Sequence, residues 1–437
     1  MNRSDLNVMN FEDRIQDYFG NRSEEFRLLM KQGPTQAFFL NQKKADRKTV
    51  FSLIDFPYEA SDLSADSFYY EHDNIGKTIP YELGIIYPQE VAASLTSAFI
   101  EPKDVKIVVD MCSAPGGKTV DILNRLDDDV LCISNDISHS RASVLSSNME
   151  RLGLDRVIVT SKRCEDLADL LEGKADIVIL DAPCSGEGMI RKYPEILDTW
   201  SLNNIETLAK TQSVLLEEAY RMLKNGGQLI YSTCTFAFEE DEEQVASFLE
   251  KHPDMSLVKI PLSSASRLEG CVKLSFLDRT EGQFFALMRK QGDPTPSSLK
   301  PMRCIKEKTV DEFIRENLFI DDYYLYKNND HFYLSLDPLP GLKNNVLKCG
   351  IRVGELIKKR FEPAHDLYRA NSLIGRYRYS YEMNDREYDD FISGKELKAA
   401  LEDHYYHLTY RGLSVGFGKC AKGTIKNKYP KGLRRMI

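Results

Sequence analysis

Two cysteines fifty positions apart sit in unusual company: Cys184 in Asp181-Ala-Pro-Cys184-Ser-Gly-Glu-Gly and Cys234 in Ser232-Thr-Cys234-Thr. Taken singly, a free cysteine is most often a small buried hydrophobe. Here each thiol follows an apolar run of strand type, Asp176-Ile-Val-Ile-Leu-Asp181 and Gln228-Leu-Ile-Tyr-Ser-Thr. In open parallel sheets ligands bind beyond the carboxyl ends of the strands, so both thiols are expected in one cleft together with Asp181. The histidines nearest in sequence are His139 and His252, which gives little support to a cysteine–histidine protease dyad. Nine cysteines without one C-x-x-C pair argue against a zinc cluster, and no metal is expected.

A third strand end carries a different signal. Val105-Lys-Ile-Val-Val-Asp110 runs into Met-Cys112-Ser-Ala-Pro-Gly116-Gly117-Lys118-Thr119. Glycines let backbone approach a ligand, and the helix that follows offers free N–H groups. A phosphate loop would need glycine where Cys112 stands, so a nucleotide triphosphatase is disfavoured, and the G-x-G-x-x-G dinucleotide fingerprint is absent. Asp136 ends the next strand run, 20 residues after Gly116. A carboxylate there suits the ribose hydroxyls of an adenosine-containing ligand, and equally suits a helix N-cap. A nucleoside cofactor with neither phosphate motif points to S-adenosylmethionine.

A methyl donor, a carboxylate and two thiols fit one reaction well. Carbon-5 of a pyrimidine is a poor nucleophile until a thiolate adds to carbon-6 and makes the ring enamine-like. For cytosine that addition is eased by a carboxyl group such as Asp181 at nitrogen-3. The carbon-5 proton and the thiol must then leave, a step in which a second thiol can assist. An N-methyltransferase would favour an N-P-P-[YF]-like turn, unlike Asp181-Ala-Pro-Cys184. An RNA-binding assembly factor with little turnover is a further reading, but it leaves two thiols without a use.

The elements that must position these groups alternate. Val130-Leu-Cys-Ile-Ser-Asn-Asp136, Val157-Ile-Val-Thr and the runs above are separated by helical stretches such as Thr119-Val-Asp-Ile-Leu and Ser140–Met149. Such βαβ repetition predicts a doubly wound, Rossmann-like α/β domain. A short gap between Val272-Lys-Leu-Ser-Phe and Gln283-Phe-Phe-Ala-Leu-Met suits a hairpin, so one antiparallel strand is expected to close the sheet. Before this domain, apolar residues at 11, 15, 18 and 19 predict a helix, interrupted at Gly20 and Gly33-Pro34. Gln36-Ala-Phe-Phe-Leu-Asn and Thr49-Val-Phe-Ser-Leu-Ile read as short strands. Gln291-Gly-Asp-Pro-Thr-Pro-Ser-Ser reads as a linker. The divisions are 1–80, a small α+β region; 81–290, the catalytic domain; and 300–437, an α+β or β-rich extension.

Composition bounds the partners. The 437 residues are 42% hydrophobic and 29% charged, with no uncharged apolar stretch long enough to span a bilayer. The start, Met1-Asn-Arg-Ser-Asp-Leu-Asn-Val, lacks a secretory pattern, so a reducing cytoplasm and free thiols are expected. Residues 301–437 hold 25 Lys and Arg against 19 Asp and Glu, while the other 300 hold 33 against 48. From His404 to Ile437 there are eight basic residues and no acidic one. That asymmetry fits a polyanion, most simply nucleic acid, or else a solvated basic tail. Tyr405, Tyr406, Tyr410, Phe417 and Tyr429 are interleaved with these cations. They suit base stacking, yet most read better as the core of a small β-domain.

Together, Asp110–Thr119, Asn135-Asp136 with Arg141, Asp181–Gly188 and Ser232–Thr235 resemble the motifs of Sun/NSUN-type RNA cytosine-carbon-5 methyltransferases. Gly84 and Tyr87-Pro-Gln-Glu90 resemble the lead-in to that family's catalytic domain. The resemblance implies Cys234 as nucleophile, Cys184 as the thiol assisting release, Asp181 at the base, and Lys118 near the catalytic base and cofactor. It implies an S-adenosylmethionine site from Cys112, Ser113, Ala114, Pro115, Gly116, Gly117 and Lys118 with Asp136, Arg141 and Asp181. Glu165 or Asp166 would approach the adenine.

Val353–His365, Gly412–Lys419 and Lys426–Arg434 are similar to the C-terminal extension of the RsmF/YebU-type bacterial branch. That implies an RNA-binding extension of one or two PUA- or RRM-like subdomains and a 16S ribosomal RNA substrate, with tRNA as runner-up, for a chain acting as a monomer without membrane attachment. Three positions depart from the family pattern: no Arg in the Phe38-Phe-Leu-Asn41 strand, no Pro-His pair at Leu277-Asp-Arg-Thr, and Tyr193 where an acidic residue is common.

Overall fold

The computed structural model describes residues 11–262, 264–293, 299–358 and 360–435. Most of the linker reading, residues 294–298, and the N-terminal start lie outside the described residues.

Four strands form the first sheet: β1 (Ala37–Leu40), β2 (Tyr58–Ala60), β3 (Ser67–Tyr70) and β4 (Ile86–Pro88), in the order β2-β3-β1-β4. The helix Phe11–Phe19 forms as its periodicity predicts. It buries Phe11, Ile15, Tyr18 and Phe19 with Phe26 against Ile190, Phe236 and Phe276. The strand expected at Thr49–Ile54 is instead part of a helix, Arg47–Leu53. Asp46 caps it by accepting the Thr49 N–H at 2.7 Å, and Val50 and Leu53, three apart, bury one face. Capping and an i, i+3 apolar pair outweighed the β-branched composition.

The central sheet contains β5 (Ile107–Asp110), β6 (Leu131–Asn135), β7 (Val157–Thr160), β8 (Ala175–Asp181), β9 (Leu223–Thr233), β10 (Met255–Leu257), β11 (Val272–Leu274) and β12 (Gln283–Lys290). β5 to β9 are mutually parallel in the order β7-β6-β5-β8-β9. Their residues are buried on both faces, as helix-covered parallel strands must be. The expectation of one closing antiparallel strand is too small. β12 pairs antiparallel with β9, and β10 and β11 both pair with β12.

The other edge is closed from far along the chain. β13 (Tyr324–Asn328) and β14 (His331–Ser335) precede β15 (Val346–Cys349), which pairs antiparallel with β7 and puts Val346 opposite Thr160. β16 (Ile351–Ile357) and β17 (Arg360–Pro363) complete a sheet with β13 and β14. A final five-stranded sheet is built from β18 (Ser380–Met383), β19 (Leu397–Lys398), β20 (Tyr405–Tyr410), β21 (Leu413–Ala421) and β22 (Thr424–Asn427). The basic segment from His404 is therefore folded, as strands up to Asn427 and a short turn at Lys431–Leu433, rather than a solvated tail. Tyr406, Tyr410, Phe417 and Tyr429 are buried in it. Its core is continuous with the first sheet through Phe38, Phe68, Leu83, Tyr388, Phe391 and Leu408.

No helix among the described residues is long and apolar enough to cross a membrane.

Candidate functional site

β8 and β9 run side by side with Asp181 opposite Ser232, so the loops that follow them leave the sheet together. The Cys184 and Cys234 sulfurs stand 3.3 Å apart, and the Cys234 N–H points at the Cys184 sulfur, also at 3.3 Å. Further bonds zip the two loops. Ser185 and Thr235 share a hydroxyl contact of 2.7 Å, and the Gly188 N–H donates to the Cys234 carbonyl at 2.9 Å. Glu187 is fully buried and accepts from the Thr235 hydroxyl, the Phe236 N–H, the Trp200 indole and Tyr18 Oη of the first helix. Gly188 lies against Gly282 so closely that a Cβ at 188 would come within 2.5 Å of the Gly282 Cα. Only glycine permits that approach.

Both thiols are partly exposed and line a cavity of about 690 Å³ with Asp181, Asp136, Arg141 and Glu165. Asp181 Oδ2 pairs with Lys118 Nζ at 2.9 Å, and Oδ1 accepts the Ser232 hydroxyl at 2.8 Å. Burial works against the Lys118 cation, but the negative charge of Asp181 and the hydrogen bond to it outweigh that and raise its pKa. The Cys184 thiol is pushed well up by its hydrogen bond to Cys234 and by burial. Cys112, which also lines the cavity, is raised likewise by hydrogen bonding to Cys164 and by burial. Neither is poised as a free thiolate, because the thiolate is what burial disfavours.

The other end of the cavity is built by the loop after β5 and the end of β6. Gly116 adopts φ of 115°, and a Cβ there would press on Leu145 and Met149. Asn135 pins the neighbouring strand ends, donating to the Met111 and Lys162 carbonyls and accepting from Thr160 Oγ1 and the Lys162 N–H. Asp136 is not the helix cap; Ser138 is, its hydroxyl facing the Arg141 N–H. Asp136 Oδ1 accepts the Ser138 N–H at 2.9 Å. Its buried Oδ2 has no hydrogen-bond partner, with Arg141 Nη2 3.4 Å away in ion-pair range. A buried acceptor left open beside a cavity fits a ligand hydroxyl, such as those a nucleoside's ribose presents. Arg141 donates to the Ala114 carbonyl at 2.7 Å and so steadies the loop. Glu165 lines the cavity beside Arg163, whereas Asp166 is exposed and does not.

Cys112, Ala114, Asp136, Arg141, Asp181, Cys184 and Cys234 thus line one cavity. Lys118 reaches the site through Asp181, and Ser113, buried outside the lining, is tied to the Asn135 carbonyl. Sequence reasoning missed Gln212, Glu187 and Glu240, all fully buried behind the thiols. Glu240 sits in the run Glu239-Glu240-Asp241-Glu242-Glu243, which reads as a solvated charge run, although 240 to 242 are buried. Burial lifts Glu240 to about 7 against the hydrogen bonds it accepts. Among the described residues, no group of three or more His, Cys, Asp or Glu is arranged to hold a metal ion.

Arg191 and Glu281 form a buried ion pair beside the Gly188–Gly282 contact, and Thr35 donates to Glu281 from the first region at 2.8 Å.

Residues 97–289 match the family described as 16S rRNA methyltransferase RsmB/F, and residues 378–435 match the methyltransferase RsmF PUA domain. The chain is 28% identical to ribosomal RNA small subunit methyltransferase F of Shewanella woodyi, over 85% of this chain and 84% of that protein. It is 29% identical to the protein of the same name from Aeromonas salmonicida, over 83% and 81%. Among solved structures it is similar to a methyltransferase homologue from Pyrococcus horikoshii, at 26% identity and a TM-score of 0.57. That likeness covers 64% of this chain and 93% of the other.

Proposed function

The chain belongs to the RsmB/F family of S-adenosylmethionine-dependent methyltransferases, and from that premise we propose that it methylates carbon-5 of cytosine in 16S ribosomal RNA. The observation that carries the reading is the pair of thiols 3.3 Å apart at the ends of adjacent parallel strands, opening on the cavity that also holds Asp136 and Asp181. S-adenosylmethionine, when bound, supplies the electrophilic methyl group.

The chain's own residues do the rest. Asp136 holds the ribose hydroxyls through its open oxygen, with the Cys112–Lys118 loop and Arg141 around the cofactor and Glu165 near the adenine. Cys234 bonds to carbon-6 of the cytosine while Asp181, kept in place by Lys118 and Ser232, hydrogen-bonds at nitrogen-3. Once carbon-5 is methylated its proton passes to a base at the site, the 5,6 double bond re-forms, and the carbon-6–sulfur bond breaks with its electron pair returning to the Cys234 sulfur. Cys184, next to the attacking sulfur, assists that elimination. Residues 1–80 and 300–437 serve RNA docking around the 81–290 catalytic unit, in a monomer working in the cytoplasm.

Two substitutions and one map test this. Cys234→Ala abolishes methylation while cofactor affinity stays within about 2-fold; appreciable turnover would remove Cys234 as nucleophile. Cys184→Ala accumulates a covalent protein–RNA adduct that survives denaturing electrophoresis; normal turnover without adduct would remove its assigned role. Bisulfite mapping of RNA from cells with and without the gene shows loss of 5-methylcytosine in small-subunit rRNA. Loss in tRNA would keep the chemistry and move the substrate; no change would sink the substrate reading.

A further inference from the structure

We propose that Gln212 and Glu240 form a buried brace that fixes the Cys184 thiol against Cys234, making them positioning residues for the release step. The inference rests on the reading of Cys184 given above. Neither residue lines the cavity, and both are fully buried. Gln212 comes from the long helix Leu202–Met222 and Glu240 from the turn before the helix Glu242–Lys251. Gln212 Nε2 donates to the Pro183 carbonyl at 2.9 Å and to Glu240 Oε2 at 2.8 Å. Glu240 accepts the Ser185 N–H at 3.0 Å on Oε2 and 3.3 Å on Oε1.

The peptide units before and after Cys184 are therefore both held, one by its carbonyl and one by its N–H, by a single pair of side chains. Fixing both units fixes the direction of the Cys184 Cα–Cβ bond. The brace is anchored in turn to the strand that leads into Cys234, because the Tyr231 hydroxyl donates to the Glu240 carbonyl at 2.6 Å. Both thiols are thus indexed to β9. The arrangement is costly for mere packing. A carboxyl and an amide are withdrawn from water, and Gln212 Oε1 is left without a partner, which apolar residues of similar size would avoid. Their common target is the backbone of one catalytic-loop residue.

The test uses the full chain with 16S rRNA transcribed in vitro, and reads kcat, KM for RNA, S-adenosylmethionine affinity and the fraction of protein in covalent adduct. Glu240→Ala is expected to lower kcat about 10- to 100-fold, as for a group displaced by about 1 Å, with KM and cofactor affinity within about 3-fold. It should also accumulate adduct to a level between wild type and Cys184→Ala. Glu240→Gln, which keeps an acceptor for the Ser185 N–H, restores most turnover and removes the adduct. Gln212→Ala, a smaller lesion, repeats the Glu240→Ala pattern more weakly and serves if Glu240→Ala does not fold. Wild-type turnover in the alanine variants, or lost turnover without adduct, overturns the brace when Cys184→Ala itself traps adduct. If Cys184→Ala traps none, the release reading fails, and the brace with it.

Discussion

The catalytic sheet and the C-terminal sheet use the same kinds of residue in opposite ways. Beyond β8 and β9 the thiols, Asp181 and Asp136 face a cavity. Between His404 and Arg435, half of the basic residues turn back on the protein. Arg435 makes a bidentate pair with Glu82 at 2.7 and 2.8 Å, Arg434 caps the Tyr429 carbonyl, Lys428 faces Glu362, and Arg411 faces Asp385. A strand end in a parallel sheet has one open side, so residue type there reports chemistry. A cation on an antiparallel hairpin has neighbours on every side, and composition does not say which of them claims it.

The strongest way to break this contrast is at the seam, where a C-terminal charge is deepest. Lys348 on β15 and Asp366 are both at most 2% exposed and form an ion pair, and Asp366 also accepts the Arg352 N–H at 2.8 Å. Asp366→Ala leaves the Lys348 ammonium buried without its partner, which costs about 3–5 kcal/mol. Chemical denaturation measures it. A loss below about 1 kcal/mol would show that this pair does not hold β15 on the catalytic sheet.

How far such features are legible in the sequence follows from the same contrast. Asp136, Asp181, Cys184 and Cys234 stand out because the βαβ alternation alone assigns them to one end of the sheet. The edge strand β15 does not, since four residues with a lysine among them, Val346-Leu-Lys-Cys349, do not name a partner 186 positions away, Thr160. The helix at Arg47–Leu53 reads as a strand because its signal is a cap at Asp46, outweighed in the sequence by β-branched neighbours. Glu240 is hidden by its acidic surroundings. Its burial depends on Gln212 and Ser185, which only tertiary structure delivers.

A second prediction sharpens the comparison through pH. In the catalytic sheet, burial raises Asp110 to about 7 from an ordinary carboxyl value. The folded state binds that proton more tightly than the unfolded chain, so the contribution is present at low pH and lost as pH rises through about 7. In the C-terminal sheet, burial lowers His407 to about 3; its ring lies against Tyr377 and bonds to Ser414 at 2.8 Å. That contribution is present above the unfolded histidine value and lost as pH falls toward 3. Between pH 7 and pH 5 the two groups pull in opposite directions by about 2 kcal/mol each. Denaturation at both pH values should show wild type gaining stability relative to Asp110→Asn and losing it relative to His407→Gln. Parallel shifts in the two variants would contradict the opposed burial assigned here.

The smallest effect decides what the remaining cations do. Lys422, Lys426 and Lys431 are exposed and form no ion pair among the described residues, unlike Arg411, Lys428 and Arg435. If the C-terminal sheet meets RNA, these three are among the cations free to contact phosphate. Replacing all three by Gln keeps their stems, so stability should move by less than about 0.5 kcal/mol. The slope of log affinity against log salt should fall by about 0.7 for each single-strand phosphate that the variant no longer neutralises. Arg435→Gln should do the reverse, lowering stability by about 2 kcal/mol because Glu82 keeps a largely buried carboxyl, while the salt slope stays put. A triple variant with an unchanged slope would remove these lysines from the RNA surface, since every phosphate they neutralise releases counterions and so adds to that slope.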